Sequence, residues 1–469
     1  MRDVRVRAAV AVLVVVTAAG AATACSEPTD SSTAASASAS HTPLNPFEQQ
    51  RTDGVGALLD ELSSVIRTGD RAGVDALVDA AAPRVLSDHL HTMTDAFARG
   101  VDRDRRGGPL AAASFTYRVA PSSGAELQVN PTLAAKLEEA GATDTWVTPV
   151  ELTYALGGAA VPGIAEPEVT LADTMAFARY DDDWKVIGDR SVALDARPTT
   201  TGPDAPAEIG PWEFGGLAAA DVRTAGGTST ILSYRKTDKT VDRARKIMPE
   251  AVAAVSEFWG DDWPQRAAVI ATGDQNEFAG LTRTAAGDTA VAAAATVFSR
   301  IDKRANQVVG QRIVLSPNAA DLSEPALAVV LRHELMHVAT RLSTTEIAPM
   351  WLTEGVPEYV GRKGTYREFI DAAPDLAVEV AANRLPKSLP VDSDFAVDSD
   401  AARVAYQSAW SFSAFVADKY GEPVLKDMYR KMTSGGDTPA MDAAMKSAVG
   451  HDKNALVKQW QKWLRAQVR

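Results

Sequence analysis

Three residues within five positions have the types and the spacing that metal-dependent hydrolysis requires. His333, Glu334 and His337 form the pattern His-Glu-x-x-His. On an α-helix the two histidines lie one turn apart on one face, where both imidazoles can bind a single metal ion while Glu334 sits beside them. The pattern therefore predicts a metal-binding helix with Glu334 as a general base. Chance occurrence of the pattern on an ordinary helix is the alternative interpretation.

The residues around the motif predict the helix that positions it. Ser323 is a natural N-cap, Glu324 and Pro325 suit the first helical turn, and the helix is expected to run to about Thr340. Four apolar residues at helical spacing supply its core face: Leu327, Leu331, Leu335 and Val338.

A second segment, Trp-Leu-Thr-Glu-Gly at residues 351–355, resembles the helix that supplies the third metal ligand in gluzincin peptidases. The resemblance is to peptidase MA-like gluzincins and covers about residues 327–469. It implies one zinc ion per chain, bound by His333, His337 and Glu354, since a catalytic zinc needs three protein ligands and an open position. The metzincin alternative fails because Thr340 and Ser343 stand where that family has glycine and histidine.

The same resemblance implies a role for Glu358, which lies one helical turn after Glu354. A carboxylate at that offset hydrogen-bonds a ligand histidine in related enzymes, and we expect Glu358 to contact His333. A solvent-facing Glu358 is the alternative. Pro357 departs from the family pattern, because proline removes a backbone donor and kinks a helix unless the helix begins near Thr353.

Tyr406 opens the segment Tyr-Gln-Ser-Ala-Trp-Ser-Phe, which resembles the helix downstream of the third ligand in peptidase MA-like domains. We expect its hydroxyl to stabilise the oxyanion of a tetrahedral intermediate; a core tyrosine is the alternative. Zinc lowers the pKa of bound water toward about 7, and Glu334 is expected to take the proton as hydroxide attacks a carbonyl carbon.

Composition limits the classes of partner. The chain has 469 residues and a formal net charge of -13, which argues against nucleic acid and against electrostatic binding to anionic lipid. Its length allows two or three domains. The oligomeric state is not predicted.

The N-terminus predicts export. Residues 1–25 combine a basic start, an apolar stretch and small residues before Cys25, the only cysteine. The segment resembles the leader of bacterial, specifically actinobacterial, lipoproteins, in which such a cysteine becomes lipid-bearing. This implies an extracytoplasmic protein anchored to the cell membrane; the alternative is a secreted protein with an ordinary signal peptide. Residues 26–45, rich in Ser, Thr, Ala and Pro, are expected to be a disordered tether.

The remaining chain is expected to be α+β in class. Residues 46–198 show helical periodicity and then strand patterns, an order that resembles the cone-like α+β domains of nuclear-transport-factor-like and SnoaL-like proteins. Residues 205–469 are expected to form a thermolysin-like, gluzincin-type domain: a small sheet with an antiparallel edge, the motif helix, and a mostly helical C-terminal part. Residues 240–259 are expected to form a long helix that is interrupted or restarted at Pro249. Residues 307–315 are the candidate substrate-binding edge strand, with an ordinary core strand as the alternative.

Two functions are compatible with these patterns. The first is a membrane-anchored extracytoplasmic zinc peptidase that acts on peptide or protein substrates. The second is a non-catalytic surface lipoprotein that uses a structural zinc site and binds a ligand or a partner.

Overall fold

The structure is a computed structural model that describes residues 46–98, 107–121, 126–194, 208–284, 292–366, 368–396 and 400–468. The expected leader (1–25), its Cys25 and the expected tether (26–45) lie outside the described residues. So do residues 199–204, which separate the two expected domains.

The N-terminal region consists of three helices followed by an antiparallel sheet of four strands in the order β1-β2-β3-β4. A tight turn with Asp181 at φ 52° joins the last two strands. One further helix, α4, was not predicted, although Asn130 caps it by accepting hydrogen bonds from two backbone N–H groups. The elements are α1 (Pro46–Thr68), α2 (Arg71–Leu77), α3 (Arg84–Phe97), β1 (Ala112–Val119), α4 (Pro131–Glu139), β2 (Asp144–Leu156), β3 (Val169–Tyr180) and β4 (Asp183–Asp189).

A mixed five-stranded sheet follows, in the order β5-β6-β7-β11-β8. Its three central strands run parallel to one another, and both outer strands are antiparallel to their neighbours. A separate hairpin pairs β9 with β10. The elements are β5 (Ala218–Thr224), β6 (Gly227–Ser233), α5 (Asp238–Trp259), β7 (Ala268–Ala271), α6 (Gln275–Thr282), β8 (Ala294–Val297), β9 (Arg300–Asp302), β10 (Gln307–Val309) and β11 (Arg312–Leu315).

The predicted edge strand at residues 307–315 is wrong. That segment is divided between β10, which belongs to the separate hairpin, and β11, which has strand neighbours on both sides. A turn at Gly310, with φ 65°, separates the two strands and prevents one continuous run. The edge of the sheet beside β11 is β8.

Helix α5 was expected to break or restart at Pro249, but it continues through that residue. Proline removes one helical hydrogen bond and crowds the preceding turn. Buried side chains on both sides of it, among them Ile247, Met248, Ala251 and Val252, hold the two halves of α5 against one core. Packing therefore outweighs the local preference of the proline.

The rest of the chain is helical. Its elements are α7 (Glu324–Thr340), α8 (Met350–Thr353), α9 (Gly355–Arg362), α10 (Phe369–Ala372), α11 (Pro374–Ala381), α12 (Asp400–Tyr420), α13 (Glu422–Thr433), α14 (Thr438–Val449) and α15 (Lys453–Gln467). The predicted α+β class, with a sheet, a motif helix and a helical C-terminal part, is confirmed. Within the described ranges no helix has the length and apolar character needed to cross a bilayer.

The five-stranded sheet separates two hydrophobic cores. On β7, Val269 and Ala271 pack with α5 and α7, whereas Ala268 and Ile270 pack in the core that includes the N-terminal helices and sheet. This alternation is the two-residue period of a strand buried on both faces. Trp212, 1% exposed, lies in the second core with its ring centroid 4.6 Å from that of Tyr154.

A buried ion pair also connects the five-stranded sheet with the N-terminal region. Arg312 on β11 lies 3.1 Å from Glu166 and donates a hydrogen bond of 2.8 Å to the hydroxyl of Tyr154. Because a buried charge without a partner is costly, each of these groups stabilises the burial of the other.

Candidate active site

Helix α7 carries the first three residues of the predicted site. Ser323 caps it by accepting a hydrogen bond of 3.3 Å from the backbone N–H of Ala326, and the helix ends at Thr340, as predicted. His333, Glu334 and His337 are 0%, 0% and 3% exposed. The motif therefore lies inside the protein, which an accidental pattern on a solvated helix does not explain.

The second segment forms two short helices, α8 and α9, that meet at Glu354. Pro357 is the third residue of α9, a first-turn position where a helix has no use for its backbone N–H. A continuous helix would have needed that N–H to bond Thr353. The proline therefore accounts for the break at Glu354, while Glu358 still donates its N–H to the Glu354 carbonyl at 2.9 Å.

Two glycines allow α9 to lie between α7 and α12. A Cβ atom on Gly355 would come within 2.6 Å of the carbonyl oxygen of Ala409 on α12. A Cβ atom on Gly361 would come within 2.8 Å of the carbonyl oxygen of Val329 on α7. Both distances are too short for any side chain, so α9 is in close backbone contact on both sides.

The fold brings His333, His337 and Glu354 together. One ligand atom from each lies within 4.8 Å of the others. The two Nε2 atoms are 3.0 Å apart, and the Glu354 carboxylate oxygens lie 3.4 Å from Nε2 of His333 and 3.7 Å from Nε2 of His337.

The chemistry of this donor set fits a zinc ion. Two imidazole nitrogens and one carboxylate form a zinc set that leaves a fourth position open. Burial, followed by the charges of His333 and Arg341, holds the pKa of His337 well below its usual value, so His337 is in the neutral form that binds a metal. Oε2 of Glu354 is buried without a hydrogen-bond partner. A buried carboxylate oxygen in that state is stabilised by a cation.

Glu358 faces His333, in the position that the resemblance implied. Its Oε1 lies 3.6 Å from Nδ1 of His333, the ring nitrogen turned away from Glu354. Its other oxygen accepts a hydrogen bond from Nε of Arg362, whose Nη1 also donates to the carbonyl of Ala372 at 2.8 Å. The Arg362–Glu358 pair thus lies against the His333 ring, and an orienting role for Glu358 stays a prediction.

Glu334 projects toward the edge strand of the sheet. Its Oε2 accepts a hydrogen bond of 2.6 Å from the hydroxyl of Thr296 on β8, and its Oε1 is buried without a hydrogen-bond partner. Burial is the main cause that raises the pKa of the Glu334 carboxyl to about 7, and the charges of Glu354 and Glu358 add to it. Such a group can accept and return a proton near neutral pH.

Tyr406 lies on α12, 5% exposed, with its ring edge-on to Phe395 at 5.0 Å between centroids. Burial raises the pKa of its hydroxyl well above the usual value, and the charges of Glu354, Glu358 and Glu334 act in the same direction. The hydroxyl is therefore a neutral donor within the electrostatic reach of the site.

Three residues near the site were missed in the sequence: Thr296, Arg341 and Arg362. Arg341 and Arg362 each follow a site residue, His337 and Glu358, by one helical turn. That spacing places them on the same helix faces and is a signal that the sequence does carry. Thr296 lies 38 positions before its partner Glu334, and no local pattern connects them.

Residues 311–466 match the model of the Peptidase MA superfamily. All the residues described above except Thr296 lie within the matched range. The C-terminal part of the chain therefore contains a domain similar to those of the peptidase MA superfamily. No curated protein matches the chain.

Solved structures of M1 zinc metallopeptidases resemble the chain distantly. One, a two-domain M1 zinc metallopeptidase bound to L-tryptophan, is 14% identical, with 54% of this chain and 52% of that chain covered and a TM-score of 0.32. An M1 zinc metallopeptidase from Deinococcus radiodurans is 13% identical, with coverages of 78% and 72% and a TM-score of 0.32. The chain thus spans about half the length of the first of these proteins.

Replacing Glu358 with glutamine tests the contact with His333. If the carboxylate orients that imidazole and increases its basicity, Glu358→Gln is expected to weaken zinc binding by about 10- to 100-fold. Competition titration with a zinc-binding dye measures the affinity. Glu422→Gln is the matched control, since Glu422 contacts Tyr359 on α9 and Lys363 directly after that helix. Equal zinc affinities for parent and Glu358→Gln would contradict the assignment.

Proposed function

We propose that the protein is a zinc-dependent peptidase that hydrolyses peptide bonds with Glu334 as general base. The observation that carries the proposal is the placement of Glu334 directly beside the three proposed ligands, with one oxygen bonded to Thr296 and the other without a hydrogen-bond partner. A purely structural zinc site needs no such carboxylate. The family match over residues 311–466 supports the same class of reaction.

Each residue of the site has a separate task in this proposal. Zinc, when bound by His333, His337 and Glu354, supplies Lewis-acid chemistry that favours ionisation of water and polarises a carbonyl group. Oε1 of Glu334 accepts the proton of the attacking water and later transfers it to the leaving amine. Thr296 holds the other oxygen of Glu334, which fixes the carboxylate in one orientation.

Tyr406 is the proposed donor to the oxyanion that forms when water adds to the carbonyl carbon. Its hydroxyl is neutral, and the low polarity around it strengthens any hydrogen bond that it donates.

Replacing Glu334 with glutamine tests the proposed function. The amide cannot accept the proton, so we expect Glu334→Gln to retain zinc and to lose about 100- to 10,000-fold in kcat on a peptide library. Metal analysis and mass spectrometry of the products measure the two properties. Glu346→Gln is the control, because Glu346 is an exposed residue beyond the end of α7. Unchanged cleavage by Glu334→Gln would overturn the mechanism.

Tyr406→Phe removes only the hydroxyl. We expect kcat to fall by about 100-fold while KM stays near the parent value, since the bond is made to the oxyanion and not to the ground state. Tyr359→Phe is the matched control, because the Tyr359 hydroxyl donates to Glu422 at 2.7 Å. A core tyrosine would instead give a variant with lower stability and unchanged kcat.

The alternative is a non-catalytic lipoprotein with a structural zinc site, and the burial of the site residues is the observation that favours it. On this alternative the parent protein binds zinc and cleaves no member of the library, with or without a chelator. A structural zinc site would not explain why the protein bears the free-energy cost of burying Glu334 beside Glu354 and Glu358.

We also propose that the protein is extracytoplasmic and attached to the cell membrane by a lipid on Cys25. The support is the sequence of residues 1–25 and the tether-like composition of residues 26–45.

Replacing Cys25 with serine tests the anchor. We expect the parent protein in its bacterial host to partition into the detergent phase and Cys25→Ser to move to the soluble fraction, because serine cannot form the thioether link. Ser26→Ala is the control. An ordinary signal peptide predicts a soluble parent protein.

A further inference from the structure

Three arginines in the described part of the chain are almost fully buried. Arg312, Arg341 and Arg362 are 4%, 8% and 8% exposed. Arg312 pairs with Glu166, and Arg362 pairs with Glu358. Arg341 differs from both, because among the described residues no carboxylate lies within ion-pair distance of it. Its Nε is buried without a hydrogen-bond partner, as is the Nε of Arg312. A buried guanidinium in this state is destabilising, so a role in binding an anion would explain it.

The position of Arg341 places it at the metal site. The residue follows α7 with helical backbone angles, φ -52° and ψ -44°, so His333, His337 and Arg341 lie on one helix face at intervals of four residues. Its guanidinium lies over the ring of Phe298, with Cζ 4.7 Å from the centroid, and Phe298 directly follows the edge strand β8. Arg341 is therefore located between the metal-binding face and the end of β8.

The carboxylates of the site have partners other than Arg341. Glu354 lies against the two imidazoles, and Glu334 accepts its hydrogen bond from Thr296. Their charges act on Arg341 without forming an ion pair. With zinc bound, the site would hold four positive charges: two on the metal and one each on Arg341 and Arg362. The three carboxylates would supply three negative charges, which leaves one positive charge in excess. One further anion would bring the buried site to neutrality.

We propose that Arg341 binds a carboxylate group of the substrate next to the bond that is cleaved. This assignment rests on the proposed peptidase function. A guanidinium can donate two parallel hydrogen bonds to a carboxylate, which fixes both the position and the direction of the bound group. In a peptide the carboxylate is either the free C-terminus or an Asp or Glu side chain. The first source would direct cleavage to the C-terminal end, and the second would direct it to acidic residues.

The test uses two libraries of N-acetylated hexapeptides with the same random sequences, one with a free C-terminal acid and one with a C-terminal amide. If the C-terminus is bound, the parent enzyme cleaves the acid library at a fixed distance from the C-terminus and the amide library about 10- to 100-fold more slowly. If a side chain is bound, both libraries are cleaved equally, with Asp or Glu enriched at one position. The proposal is overturned if the parent shows neither preference.

Two substitutions and one control test whether Arg341 causes the preference for a carboxylate. Arg341→Gln should abolish it, and Arg341→Lys, which keeps the charge without the planar fork, should restore part of it. Arg384→Gln is the matched control, since the Arg384 side chain is 62% exposed and pairs with Glu379 at the surface. A preference that survives in folded Arg341→Gln would also overturn the proposal. If Arg341→Gln fails to fold, the library result of the parent enzyme alone decides whether the site binds a carboxylate.

A binding measurement separates this proposal from the proposed function. Affinity selection of both libraries on immobilised Glu334→Gln protein, quantified by mass spectrometry, requires no turnover. Preferential capture of free acids or of acidic peptides, lost when Arg341→Gln is added, supports the carboxylate site even if the parent protein hydrolyses nothing. Hydrolysis by the parent without any such capture supports the peptidase function and rejects the role of Arg341.

Discussion

The structure depends on an electrostatic constraint: three carboxylates and two imidazoles are buried together. Glu334, Glu354 and Glu358 are at most 1% exposed, and burial raises the pKa of the first two carboxyl groups. Removing ionised carboxylates from water is costly unless a cation or a hydrogen-bond donor compensates them. Arg362 compensates Glu358, and a zinc ion would compensate Glu354. Metal binding and the stability of this core are therefore coupled.

Helix α9 fixes the distances between these buried charged groups. It carries Glu358 and follows Glu354 directly, and its two glycines contact the backbones of α7 and α12 at distances that no side chain would permit. Pro357 sets where α9 begins. Glu354 and Glu358 therefore cannot move independently: a shift of α9 that changes the distance from Glu354 to the imidazoles also changes the distance from Glu358 to Nδ1 of His333. The departure from the family pattern at position 357 is compatible with both contacts.

Local patterns were sufficient to predict the helix of the motif and its cap at Ser323, because helical spacing and capping depend on neighbouring residues. The positions of Glu354 and Glu358 came from family resemblance, and the structure places both beside the histidines; their roles stay predictions. The edge strand and the break at Pro249 were wrong, because strand neighbours and core packing are decided by residues distant in sequence. The contact between Thr296 and Glu334 belongs to this non-local class.

That contact also connects the N-terminal region to the chemistry. Along β8, Ala295 and Val297 pack in the core shared with the N-terminal helices and sheet, whereas Thr296 between them faces Glu334. A strand alternates its side chains, so fixing one face of β8 fixes the direction of the other. The N-terminal region thereby holds the residue that orients the proposed general base. Loss of its packing would loosen Thr296 first. His333 and His337 on α7, and Glu354 just before α9, would stay in place, since α7 and α9 pack in the opposite core.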